Sequence, residues 1–490
     1  MIGDILGNVL SLETVLYILG GVASGIGIGC LPGLTATMGV ALVLPLTFGM
    51  EATPGILLLL GVYVGAIYGG SISAILIRTP GTPAAAATIL DGYEYAKRGE
   101  AGRALGISTT ASFIGGVISC AILALLSPQL AKVALQFSSP EFFMLAVFGL
   151  CVIASISGDN LAKGVLCGAL GIVLSCVGID GITGYMRFTY DNINLLSGIS
   201  YIPVMIGLFA MSQAFESIED IYRKGAATEK LDSVLPRKSD LAAILKTSPL
   251  FGLMGTAIGI IPGAGADIGA FVAYGQARNI SRHPEKFGTG IPEGVAAPES
   301  ANNGVTGGAL IPMLTLGVPG DAVAAIMIGA LTIQGLQPGP LLFRNNAELV
   351  YSVFLGMFLA NVAMFLMGLS CIRLFVRVLS IPKAVLTPAI FLLCVVGSYA
   401  MANNFFDVEV MLLFGIIGYF LNKVKISASP AVLGLILGPM AESHFRRALL
   451  MNRGSYAAFF GTGICWLFFT LICLSLAIPI WQKTRKKKTG

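Results

Sequence analysis

The chain has 490 residues, of which 56% are hydrophobic and only 11% charged, and its mean hydropathy is +0.86. A soluble fold of this length needs a charged surface that such a composition cannot supply. The class indicated is an all-α polytopic membrane protein, since continuous apolar runs exclude the alternating pattern of a β-barrel. The net charge of +5, much of it in the closing KTRKKKTG, points to anionic lipid and not to nucleic acid.

In chain order, the first apolar run is Val15–Leu31. The first Lys or Arg is Arg78, so this run lacks the basic start of a cleaved signal peptide and reads as a span. It leads into CLPGLTATMGVA (30–41), where Pro32 and Gly33 stop the helix and Thr35 and Thr37 follow. A second run, Ile56–Ile77, ends in RTPGTPAAAA (78–87), with Arg78, Thr79, Gly81 and Thr82 around its Pro-Gly pair. Runs at Phe142–Ile156 and Leu161–Ile179 complete the first half. The polar stretch Glu216–Ser248 carries Arg223, Lys224, Lys230, Arg237, Lys238 and Lys246, and reads as a cytoplasmic linker. A new break follows at IIPGAGADIGAF (260–271), with Gly263, Gly265 and Asp267. Residues 290–320 are unusually polar. Gly290–Pro298 reads as a loop of turn formers, whereas Glu299, Asn302 and Asn303 run into an apolar helix that ends at Thr315 and VPGD, with Gly320 and Asp321. Val350–Cys371 and Tyr456–Ile480 are further spans, and about 10 to 14 membrane segments are expected in all.

The breaks come in pairs. Gly25, Ile28, Gly29, Pro32, Gly33, Ala36 and Gly39 match Gly255, Ile258, Gly259, Pro262, Gly263, Ala266 and Gly269, always at an offset of 230 (262 − 32). RTPGTPAAAA matches GVPGDAVAAI (317–326), FGLCVIAS (148–155) matches FLLCVVGS (391–398), and PVMIGL (203–208) matches PAVLGL (430–435). The preserved order marks an internal duplication. It divides the chain into a first membrane repeat (1–216), the linker (217–248), a second repeat (249–455) and an added helix with a basic tail (456–490). Loop charges predict that the repeats are inverted. The 47–55 loop has no Lys or Arg while its counterpart has Arg278, Arg282 and Lys286; the next loop has Lys97, Arg98 and Arg103 against Arg344 alone. That topology puts the N-terminus outside and the tail in the cytoplasm. Arg446, Arg447 and Arg453 then fall outside, against the rule.

Broken helices inside a membrane must be buried in protein or line a wet cavity. A helix N-terminus there offers free N–H groups and about half a positive charge to an anion. Small hydroxyls and carboxylates at a break offer hard oxygens to Na⁺ or a proton. Asp267 and Asp321 are the expected Na⁺ neighbourhood, with Asp321 also readable as a helix cap. Arg78 reads either as a partner for a substrate carboxylate or as a side chain reaching to the interface. The nine cysteines sit in or beside apolar segments without a C-x-x-C pair and read as small helix residues. His283 and His444, in polar and charged stretches, read as solvated or headgroup-level residues rather than ligands. The absence of G-x-x-x-x-G-K-[ST] argues against ATP hydrolysis by this chain, and no cofactor is expected.

The segments YGGSISAILIRTPGTPAAAATILDGYEYAKRGEAGRALG (68–106), IPGAGADIGAF (261–271), GVAAPESANNG (294–304) and IPMLTLGVPGDAVAAIMIGAL (311–331) resemble the large membrane subunit of the tripartite tricarboxylate transporter family, with likeness from about residue 15 to residue 450. The resemblance implies a bacterial inner-membrane permease, not an enzyme. It implies a small membrane subunit and a periplasmic solute-binding protein as partners, and uptake of organic carboxylates such as citrate driven by Na⁺ or H⁺. The family's motifs fall on Pro262–Ala266, Ala297–Asn303, Pro80–Thr82 and Pro319–Asp321. Many members have Asn where this chain has Arg78, which bears on the substrate. A channel is the alternative, and an intramembrane aspartyl protease using Asp267 and Asp321 a remote one, since V-P-G-D departs from G-x-G-D.

Overall fold

The computed structural model describes residues 2–156, 161–219, 232–379, 381–424 and 426–488. Arg223, Lys224 and Lys230 of the expected linker, and the last two residues of the tail, lie outside them. The described chain is almost wholly helical. The first half contains α1 (Ile2–Val9), α2 (Leu12–Cys30), α3 (Ala36–Val43), α4 (Ala52–Ile77), α5 (Ile89–Lys97), α6 (Ala101–Ala134), α7 (Ser139–Ile156) and α8 (Leu161–Ser175). A short hairpin, β1 (Gly178–Ile179) with β2 (Met186–Arg187), precedes α9 (Tyr201–Met205), a π turn over Ile206–Met211, and α10 (Ser212–Glu219). The second half contains α11 (Lys238–Ile260), α12 (Ala266–Ile280), α13 (Pro292–Leu316), α14 (Ala322–Ile333), α15 (Pro340–Asn345), α16 (Ala347–Ser370), α17 (Ile372–Val378), α18 (Lys383–Ala402), α19 (Phe405–Lys423) and α20 (Ser429–Met451), and α21 (Gly463–Lys488) closes the chain.

Seven of these helical stretches are long and apolar enough to cross a membrane, and six shorter apolar helices of 10–17 residues accompany them. Together they fall within the expected range of segments. One sequence reading is corrected. Gly290–Pro298 is not a loop beyond Ile291: α13 begins at Pro292 and passes through Pro298. Proline at the first helical position costs nothing, because its missing N–H has no partner there anyway. The polar residues from Lys238 onward form the first turns of α11, tied to α6 by the Arg103–Asp240 ion pair at 2.7 Å.

Helix α4 is central, and its apolar stretch is entirely buried. It packs most closely on α2, as α13 packs on α11. Glycine makes both approaches possible. A Cβ on Gly25 would lie 2.4 Å from the Val62 carbonyl oxygen, and one on Gly255 would lie 2.1 Å from that of Ala301. The same pairing recurs between Gly29 and Ala66, and between Gly259 and Val305. From the facing helix, Gly65 meets the Val22 carbonyl as Gly304 meets that of Gly252. The two hairpins are thus packed alike, through small residues that let backbones touch. Helix α13 also packs on α6, linking the halves, while α20 packs on α7 and α8, and α19 on the π turn.

Candidate functional site

The four Pro-Gly segments form true breaks. Helices α2 and α11 end at Cys30 and Ile260, and α3 and α12 start six residues later (36 − 30 and 266 − 260). Gly33 and Gly263 turn the chain with φ of +93° and +79°, which side chains rarely tolerate. Helices α4 and α13 end with left-handed residues at Arg78 (φ +57°) and Gly317 (φ +71°). Gly81 and Gly320 then press against the neighbouring break: added Cβ atoms would meet the Gly29 oxygen at 1.9 Å and the Gly259 oxygen at 2.7 Å. The Gly263 N–H donates to the Gly320 carbonyl at 2.5 Å, joining the second half's two breaks directly.

A cavity of about 580 Å³ opens where the breaks meet. Helices α3, α12 and α14 all begin at its wall, which Thr35, Thr37, Thr82, Gly263, Gly265, Asp267 and Asp321 line. The rest of the wall comes from the π turn and α10, through Phe209, Ser212 and Gln213, and from Ser427–Ser429 where α20 starts.

The helix starts differ in what fills them. The Thr35 hydroxyl accepts from the Met38 N–H at 3.1 Å and caps α3. One Asp321 oxygen accepts from the Ala324 N–H at 2.8 Å and caps α14, while the other accepts from the Tyr63 hydroxyl at 2.5 Å. The capping role of Asp321 and its place on the cavity wall therefore coexist. Helix α12 has Gly265 at its cap position and no side chain on its first N–H groups. Its dipole is left facing the cavity. Asp267, in that first turn, is exposed, and no cation pairs with it among the described residues. The Thr82 hydroxyl is buried without a hydrogen-bond partner. The arrangement offers N–H groups to an anion and carboxylate and hydroxyl oxygens to a hard cation. No cluster of three or more His, Cys, Asp or Glu gathers among the described residues, so a cation here would be held by mixed oxygens.

Other candidates lie elsewhere. Arg78 and Thr79 are exposed, and the Arg78 guanidinium stacks over Tyr93 at 5.7 Å, not on the cavity wall. Glu299, Asn302 and Asn303 are fully buried behind the wall. Glu299 accepts from Ser71 at 2.5 Å, Ser108 at 2.9 Å and Ser112 at 3.0 Å, and from Thr88. Asn302 donates to the carbonyl of Ala84, a cavity residue, at 3.2 Å, and accepts from Asn303 at 2.8 Å. The Thr315 hydroxyl donates to its own helix at Ile311. Tyr63 and the hydroxyls around Glu299 are missing from the sequence reading, since a Tyr or Ser on an apolar helix carries no sign of its partner. For the rest of the wall a signal existed: the matched PVMIGL and PAVLGL end on Leu208 and include Val432 and Leu433, all of which line the cavity.

Residues 15–433 match the family described as the tripartite tricarboxylate transporter TctA family. The chain is 36% identical over 470 residues to an uncharacterized 52.8 kDa protein in the TAR-I ttuC' 3' region of Agrobacterium vitis, covering 96% of this chain and 93% of that relative. It is 38% identical over 226 residues to an uncharacterized protein in the TAR-II ttuC' 3' region of the same organism, covering 46% of this chain and 93% of that one.

Proposed function

The chain belongs to the tripartite tricarboxylate transporter TctA family, and from that premise we propose that it is the large permease subunit of a binding-protein-dependent secondary carboxylate importer. The observation that carries this reading is the central cavity. The open N-terminus of α12, the unpartnered Thr82 hydroxyl and the Asp267 and Asp321 carboxylates share one wall. An organic anion and a small cation bound side by side would each reduce the cost of burying the other, which couples their binding. The volume lies within the roughly 300–1,000 Å³ usual for small-molecule sites.

A small membrane subunit and a periplasmic solute-binding protein complete the assembly in the bacterial inner membrane. The halves are inverted repeats, with the N-terminus periplasmic and the tail cytoplasmic. Substrate passes from the binding protein to the central cavity, and the α3–α12–α14 tips move with it against the surrounding helices, in a rocking or elevator-like step. The coupling ion is Na⁺ or H⁺, with Na⁺ held near Asp267 and Asp321.

Uptake of labelled citrate into proteoliposomes holding this subunit, its small partner and the binding protein tests the reading. Accumulation that needs the binding protein and an inward Na⁺ gradient is expected. Accumulation that ignores Na⁺ but follows a pH gradient would make H⁺ the coupling ion. Downhill flux that needs neither gradient nor binding protein would make the protein a channel.

A further inference from the structure

A second cavity, of about 920 Å³, adjoins the first. Its wall comes from the ends of α6 and α7, the 175–187 hairpin region, the loop before α15, and α20. The two cavities share a partition. On α14, Ala325 faces the central cavity and Ile328 the second; on α20, Leu433 faces the central cavity and Ile436 the second. At 1.5 Å per residue each step is about 5 Å, less than one helical turn. Helices α14 and α20 pack on each other there.

The second cavity is cationic in a particular way. Arg187, Arg446 and Arg447 line it as cations, with His444 beside them and Asp180 and Glu442 as its carboxylates. Both carboxylates are already engaged. Arg187 pairs with Glu442 at 2.7 Å, and Arg446 pairs with Asp180 and lies 3.2 Å from Glu442. The Arg446 hydrogen bond holds the Asp180 carboxyl well below the usual carboxylate range, so that acid stays charged and occupied. Arg447 has no carboxylate partner among the described residues. Arg187 Nε and His444 Nδ1 are shut off from solvent and have no hydrogen-bond partner. A guanidinium without a carboxylate partner, beside carboxylates that are all taken, leaves a place for an anion.

We infer that this cavity is a vestibule that holds a carboxylate substrate in line with the central cavity, gripped by Arg447 with Arg187 and His444 beside it, and that the α14–α20 contact is the gate between the two. The inference rests on the carboxylate-import reading. It also gives Arg447 a reason to lie where loop-charge bias does not expect arginine.

The test compares the unaltered complex in proteoliposomes with Arg447→Lys, Arg447→Gln and Arg447→Glu, using labelled citrate, succinate and malate in turn. Arg447 is exposed and pairs with no carboxylate, so none of these changes orphans a buried charge. Arg447→Gln is expected to raise the half-saturating concentration on the order of tenfold. Its maximal rate should stay within about twofold, because the central cavity is intact. Arg447→Glu should raise that concentration further, Arg447→Lys less, and the differences should shrink in about 0.5 M salt. Uptake by the unaltered complex with all three variants within about twofold of it would overturn the vestibule alone. If the unaltered complex takes up none of the three carboxylates, the import reading falls and the vestibule with it.

Discussion

Asp321 uses one carboxylate oxygen to cap α14 and the other to accept from Tyr63, yet it remains on the cavity wall. Capping and ion binding are separable by substitution. Asparagine caps as well as aspartate but carries no charge, whereas alanine loses the cap at a cost of about 1 kcal/mol. Asp321→Asn should therefore leave the thermal midpoint within a few degrees while uptake falls more than about tenfold. Asp321→Ala should lower both. Uptake by Asp321→Asn equal to the unaltered protein would reduce Asp321 to a structural cap. The cap was legible in the sequence, because it is set by the next three residues. The Tyr63 contact was not, because it spans 258 residues. Arg78 shows the reverse case. As a cation beside a break it reads equally as a substrate partner or as a side chain reaching to the interface; it is exposed at the left-handed end of α4, with its guanidinium over Tyr93 and not among the residues that line the cavity.

At the scale of the elements, the Pro-Gly pairs set where helices stop, and the glycines of α2 and α11 set how closely they pack. Two glycines of α2 make opposite predictions. Gly25 touches the α4 backbone, so Gly25→Ala should destabilise by about 1–3 kcal/mol through overpacking. A Cβ on Gly27 meets nothing within 4 Å, so Gly27→Ala should be neutral or stabilise by up to about 1 kcal/mol through helix propensity. Melting of the purified variants in detergent measures both; equal midpoints would mean that the α2–α4 interface yields to a methyl group. The breaks and the duplicated glycine spacing were readable from sequence because they are local. The start of α13 was not, since GIPEGVAAPES is rich in the Gly and Pro that suggest a loop. Its small residues instead allow a helix to enter a crowded centre, where packing overrides local propensity.

Across the whole molecule, Glu299 and Asp91 fasten the halves together. Glu299 on α13 accepts from hydroxyls on α4, on α6 and just before α5. Asp91 on α5 accepts from Tyr274 at 2.9 Å and from the N–H groups of Gly288, Gly290 and Ile291. Glu299→Ala would leave its buried hydroxyl donors without their acceptor, at roughly 1–3 kcal/mol for each one left unsatisfied, and should lower the melting midpoint sharply. Glu299→Gln keeps one acceptor oxygen and should lower it less. Unchanged melting of Glu299→Gln with lost uptake would instead put Glu299 in the transport step. The sequence by itself determined the membrane class, the family, the paired breaks and the residue types available for ion and anion binding. Each of these follows from composition or from a short stretch of chain. Only the tertiary structure decided which polar residues face the central cavity and which are consumed in internal networks. Thr82 and Thr315, or Asp321 and Glu299, are equivalent in sequence terms. What separates them is where packing puts them: Thr315 donates within its own helix while Thr82 sits at the cavity without a partner, and Glu299 is enclosed by hydroxyls of neighbouring elements while Asp321 stays on the cavity wall.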